Sequence, residues 1–316
     1  MSEEIEYLGE TKPRTLGVLV TLGLLGGPGL AHVYVGKLQR GILVNLLVIL
    51  VVEVFVIAFS LLKFFPLLPM VVILLGWITI LGFNISSAKS DISKDYVLRP
   101  FNHPLLYALV ALFTFYGPLV ATAQFTQTSL LGLTKVDHSA MTPAIIPGDV
   151  ILFDRTSFQG RAISRGEAVV LEHQEERPNV LRAVAVPKDT VQVDGTNPIV
   201  NQTPLVQAEL QPSGDDRDLF AMVEENFGSK YVVSVSKRTF LDAWVPPQEL
   251  KESEYFLLAD NRHQVPLQDG EIPPRDSRNF GPISEEEIEG KPMYIAWSID
   301  PETNSVRWHR IGLRLR

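Results

Sequence analysis

The stretch "DHSAMTPAIIPGD", Asp137 to Asp149, sets an aspartate, a histidine and a serine side by side. Together these residue types can turn a hydroxyl into a nucleophile for peptide hydrolysis. Their adjacency is the obstacle. In an extended chain neighbouring side chains point to opposite faces, so His138 cannot serve both Ser139 and Asp137 as a triad requires. The other histidines, His32, His103, His173, His263 and His309, show no H-x-x-x-H spacing, and the chain has no cysteine. Neither a metal nor any other cofactor is therefore expected. A net charge of -8, with no basic stripe interleaved with aromatics, argues against nucleic acid as a partner.

Nearly all the long apolar runs precede residue 135. No formal charge occurs over 15–36, 64–88 or 104–134, and Glu53 is the only one over 41–62. Each run reaches the roughly 20 residues that a helix needs to cross about 30 Å of hydrocarbon. Four transmembrane helices are expected, and the lipid bilayer is the first expected partner. The first run carries Gly26, Gly27, Pro28 and Gly29 at its middle and also reads as a broken or re-entrant helix. It is too long for a removed signal peptide and lacks the small-residue cleavage pattern. Glu53 is expected to make an interhelical contact, and His32 to lie at the membrane interface.

Lysine and arginine favour the cytoplasmic side. Lys37 and Arg40 follow the first run and Lys89, Lys94 and Arg99 the third, against Lys63 after the second and Lys12 and Arg14 before the first. With four spans both termini lie outside. If the first run does not cross, the N-terminus moves inside and everything after it stays. The acidic start (Glu3, Glu4, Glu6, Glu10) weighs little in this rule. The lack of cysteine is compatible with a bacterial periplasm or cell surface.

From Lys135 onward the pattern changes to short β-branched and aromatic runs: "VILFDR", "AVVLEH", "VLRAVAV", "TVQVDG", "PIVNQ", "YVVSVS", "YFLLAD" and "MYIAWSI". These read as strands. Helical periodicity is confined to part of Gln207–Phe227 and to "SEEEIEG" at Ser284–Gly290, while "SGDDRD" and "QVPLQDGEIPPR" read as polar loops. The expected fold is a multi-span α-helical membrane domain, 1–134, followed by a mainly-β domain, 135–316.

Four ordered segments resemble type I signal peptidases, the membrane-anchored serine proteases that remove signal peptides from exported proteins. "AMTPAIIPGD" matches a box reading Ser-Met-x-Pro-Thr with Gly-Asp downstream, through Met141, Pro143, Gly148 and Asp149. "RGEAVVLEH" resembles the Arg-Gly-Asp strand, and "LRAVAVPKDTVQV" resembles Lys-Arg-x-x-Gly-x-Pro-Gly-Asp-x-Val. "YFLLADNR" with "RDSRNFGPI" matches Gly-Asp-Asn-Arg, Asp-Ser-Arg and Trp-Gly-Pro-Val through Asp260, Asn261, Arg262, Asp276, Ser277, Arg278 and Gly281. "GLAHVYVGKLQRG" is similar to a glycine-rich membrane motif that precedes the peptidase domain in some members.

The resemblance implies a serine nucleophile and a lysine kept neutral by apolar burial as general base. It lays Ala140 on the serine and Leu181 on the lysine, and neither side chain can transfer a proton. In a serine protease, loss of the nucleophile alone lowers kcat on the order of a millionfold. His138 falls where some members place an oxyanion-binding serine, Lys188-Asp189 replaces Gly-Asp, and Ala259 replaces a glycine. Sliding the register to make Ser139 the nucleophile turns it to the wrong face and breaks its step to Pro143. Lys188 sits in a turn that leaves it solvated. Alanine at 140 alone would suit a laboratory inactivation, but leucine at 181 as well points to natural loss.

By the same resemblance Ser139, Met141, Pro143, Asp276, Ser277 and Arg278 shape a peptide groove, with Asp276 and Arg278 as a bracing ion pair and Asp149 as a turn acid. Three readings follow: a membrane-anchored pseudopeptidase that binds signal peptides, exported proteins or membrane proteins; an active signal peptidase I with a relocated or mutated nucleophile; and a structural subunit of a membrane complex. The expected location is a bacterial cell membrane, with the C-terminal domain outside.

Overall fold

The computed structural model describes residues 11–62, 67–172, 179–195, 197–210, 219–236, 244–262 and 275–315. The acidic start, Lys63, His173, His263, the polar stretch 213–218 and most of 264–275 lie outside them. Contacts divide the chain into two compact units, Met1–Thr128 and Ser129–Arg316.

The first unit is helical: α1 Leu16–Gly26, α2 Pro28–Tyr34, α3 Leu38–Leu62, α4 Leu67–Lys89 and α5 Pro104–Leu130. Three helices, rather than the four expected, are long and apolar enough to cross a membrane among the described residues: Leu38–Ala58, Val71–Lys89 and Pro104–Leu130. The first run fails because it breaks. Gly27 takes a left-handed φ of 86° and Pro28 starts a new helix, leaving two pieces of 11 and 7 residues.

A break buried among helices strands backbone polar groups, and the fully buried Asn45 of α3 satisfies them. Its Oδ1 accepts from Gly29 N–H (2.7 Å), and its Nδ2 donates to Gly26 C=O (3.1 Å) and to Thr114 Oγ1 (3.0 Å). Gly29 also lets α2 approach α3, since a Cβ there would stand 1.9 Å from Gly41 C=O. Two π-helical turns widen α5, the first at Leu112–Tyr116, directly before Pro118, which has no N–H to donate.

Thr122 of α5 donates to Glu53 of α3 (3.0 Å), the interhelical contact expected of that carboxylate. His32, expected at an interface, is instead wholly buried on α2, with Nε2 3.1 Å from Asn84 Oδ1 of α4.

The second unit is mainly β. A seven-stranded antiparallel sheet runs, edge to edge, through β1 (Leu131–Lys135), β2 (Asp149–Asp154), β14 (Ile288–Ser298), β3 (Ala168–Leu171), β4 (Val180–Ala185), β12 (Glu254–Leu258) and β13 (Ile283–Ser284). A four-stranded sheet joins β11 (Trp244–Glu249), β5 (Thr190–Asp194), β6 (Asn197–Val200) and β7 (Thr203–Pro204); a three-stranded one joins β10 (Ser229–Ser236), β9 (Leu219–Asn226) and β8 (Val206–Glu209).

Every residue of β3 and β4 is buried, which accounts for their unbroken apolar runs rather than alternation. Part of Gln207–Phe227, expected as helix, is strand: β8 and β9 pair through Ala208 and Val223. In "SEEEIEG" only a single 3-10 turn forms, Glu285–Glu287, closed by a capping box from Ser284, before the chain enters β14.

Candidate functional site

The loop joining β1 to β2 carries the opening motif. Gly148 N–H donates to Val136 C=O (2.8 Å) and Val136 N–H to Asp149 C=O (2.8 Å), closing the loop at its base. The buried Asp149 carboxylate accepts from Ile146 N–H (3.0 Å) and from Nε and Nη2 of Arg310 (3.0 and 2.7 Å), so it is a turn acid tied to the C-terminal segment. Between these closures Ser139–Met141 form a 3-10 turn. A turn this tight sends successive side chains apart. Met141 enters one core cluster, with Ile145, Ile151 and Phe153, and Ala140 enters another, while Ser139 and Pro143 are exposed.

The cluster that receives Ala140 also holds Leu181 of β4 and Ala259, among Val169, Leu171, Ala183, Tyr255, Leu257 and Ile283. Leu181 has no exposed surface. The two side chains expected at the nucleophile and base positions thus lie in one apolar cluster. The turn hangs on the chain that follows β12: Asn261 donates through its N–H to Ala140 C=O (2.8 Å) and through Nδ2 to Ser139 C=O (3.3 Å).

Behind this floor the helix α6, Ser277–Phe280, is capped by Asp276. Asp276 accepts from Ala259 N–H (3.0 Å) and from Arg278 through N–H, Nε and Nη2 (3.0, 2.9 and 2.7 Å). Burial alone would raise its pKa. The Arg278 charge and these hydrogen bonds outweigh burial and hold it below the usual carboxylate value, so the group stays ionised. Ser277 Oγ accepts from Leu257 N–H (2.9 Å), and Arg278 Nη1 donates to Arg262 C=O (3.1 Å). Asp276, Ser277 and Arg278 therefore fix the backbone of 257–262, the segment from which the Ala140 turn is suspended.

Two of the three residues that invited a triad have partners elsewhere. Asp137 pairs with Lys135 (2.8 Å), and Arg275 Nη1 lies 3.2 Å from His138 Nδ1. Lys188 is exposed in a turn and faces Glu252 (3.3 Å). Among the described residues of this unit no lysine is buried. Lys135, Lys188, Lys230, Lys251 and Lys291 each reach a carboxylate: Asp137, Glu252, Glu225, Glu254 and Glu167.

A buried polar network beside the site went unread in the sequence. Arg182, the residue after Leu181, grips Asp260 through Nε and Nη2 (2.7 and 2.6 Å) and stacks on Tyr231, 4.4 Å from its centroid. Arg262 donates to Glu224 Oε1 (2.5 Å), which also accepts from Tyr231 Oη (2.6 Å). Burial and the Glu224 charge push the Tyr231 phenol up, so it remains a donor. An arginine inside the apolar run "VLRAVAV" was the available signal.

The family described as "Signal peptidase, peptidase S26" matches residues 109–297, and the chain belongs to that family. Signal peptidase I V of Bacillus subtilis (strain 168) is 26% identical over 156 residues, spanning 49% of this chain and 80% of that protein. The crystal structure of a signal peptidase I from Enterococcus faecalis V583 is similar over 42% of this chain and 97% of its own, at 17% identity and a TM-score of 0.23.

Proposed function

We propose that this signal peptidase I-like chain is a membrane-anchored pseudopeptidase, which holds an extended segment of a signal peptide, exported protein or membrane protein without cutting it. The observation that carries the reading is the shared burial of Ala140 and Leu181 in one apolar cluster. A methyl and an isobutyl group occupy the positions that the family gives to a hydroxyl and an amine. Ser139 offers no substitute, being exposed and without a described amine to take its proton. Strand addition at the groove edge is the binding mode proposed.

Residues 1–134 would form the anchor and 135–316 the outward domain. With three spans, the basic residues Lys37, Arg40, Lys89, Lys94 and Arg99 favour a cytoplasmic N-terminus and leave the β domain outside a bacterial cell membrane.

Purified full-length protein is expected to leave an exported precursor intact yet retain a signal-sequence peptide in detergent pull-down. Restoring both positions, Ala140→Ser with Leu181→Lys, is expected to yield cleavage that neither single change gives. Processing by the unaltered chain would overturn the reading.

A further inference from the structure

The polar end of the helical unit holds a guanidinium left unsatisfied among the described residues. Arg14, just before α1, is 7% exposed and lies against the rings of Tyr34 and Tyr96, with centroids 4.4 and 4.1 Å away. Its Nε and Nη2 are buried and have no hydrogen-bond partner among the described residues. Those atoms form the edge of the guanidinium that takes two oxygens of one carboxylate or phosphate.

The surrounding cage is built. Thr15 N–H donates to Tyr34 Oη (3.0 Å), and Tyr96 Oη donates to Asn102 Oδ1 (2.9 Å). Tyr96 packs on Gly36, where a Cβ would stand 2.6 Å from its hydroxyl. Lys37, Arg40 and Arg99 at this end are engaged, with Asp91, Ser87 and Gly36 C=O. The side chains of Lys12, Lys89 and Lys94 are exposed and have no partner among the described residues.

We infer that the Nε–Nη2 edge of Arg14, with Lys12 two residues before it and Lys94 next to Ser93, whose C=O accepts from Arg14 N–H (3.0 Å), binds the phosphate of an anionic phospholipid headgroup. An unpaired buried guanidinium is costly, and a doubly hydrogen-bonded phosphate removes that cost. Lipid is favoured over a free anion because Leu16 and Val18, two and four residues on and exposed in the first turn of α1, offer acyl chains an apolar surface. The unpaired lysines disfavour a cationic headgroup such as choline. Both donors are shut off from water, so entry requires a local opening around the guanidinium.

This inference rests on the membrane-anchored reading, which alkaline carbonate extraction tests separately: release from membranes overturns anchoring whatever the lipid result. The inference itself is tested on the full chain in non-ionic detergent, by following the thermal midpoint with added short-chain phosphatidylglycerol, phosphatidylcholine of equal chain length, or inorganic phosphate. Phosphatidylglycerol is expected to raise the midpoint at concentrations where the other two do not. Arg14→Lys keeps the charge but loses the fork, and is expected to weaken the response about tenfold. Equal shifts with both lipids, a shift reproduced by phosphate alone, or an Arg14→Lys response equal to that of the unaltered chain would each overturn the inference. Should Arg14→Lys fail to fold, the three additions to the unaltered chain still decide.

Discussion

Leu181 exposes no surface and packs among aliphatic side chains, so a charge placed there would have to be neutralised or expelled. Leu181→Lys alone is expected to lower stability by about 2–4 kcal/mol at neutral pH and by more as the pH falls, since folding then depresses the lysine pKa; denaturant titrations at two pH values read this. Glu167 titrates in the opposite sense. Burial would raise its carboxyl, but Arg161, Lys291 and the Ser164 N–H bring it down to about 2. Its stabilisation is complete above the ordinary value of 4.5 and is lost as pH drops toward 2. Glu167→Gln should therefore destabilise at pH 7 and flatten the pH dependence in that window, measured as the denaturation midpoint. Removing one partner of the buried Arg182–Asp260 pair, by Arg182→Ala, is expected to cost about 3–5 kcal/mol, whereas Arg182→Met with Asp260→Leu should recover much of that loss.

At the scale of elements, one side chain serves the break between α1 and α2. Asn45→Leu would orphan Gly29 N–H and Gly26 C=O together and is expected to lower the melting stability in detergent by about 1–3 kcal/mol. The break was legible in "LGGPGL", because glycines beside a proline cannot continue a helix; what plugs it was not, since Asn45 comes from the next helix. Most strands were legible from β-branched runs. "WVPPQE" was not, because paired prolines disguise β11, nor was β9, whose "VEEN" carries the polarity of a helix surface. Glu224 is buried there because it meets Arg262, 38 residues on, a pairing that no local pattern displays.

For the whole molecule, the ordered boxes of the second half made the family readable although alanine and leucine stand at positions 140 and 181. The boxes serve the framework: Asp276, Ser277 and Arg278 hold backbone, and Asp260 and Arg262 anchor neighbouring strands. The tie between Arg262 and Glu224 has a mechanical consequence. It fastens the β9–β10 hairpin to the chain after β12 through a contact that water does not reach, and Ser234 adds backbone hydrogen bonds at the same place, accepting from Arg262 N–H (2.9 Å) and donating to Asp260 C=O (2.8 Å). The hairpin therefore cannot peel away as an independent flap. Its amides should exchange with deuterium only as slowly as those of the central sheet, and a protease should nick it only when the entire β domain opens.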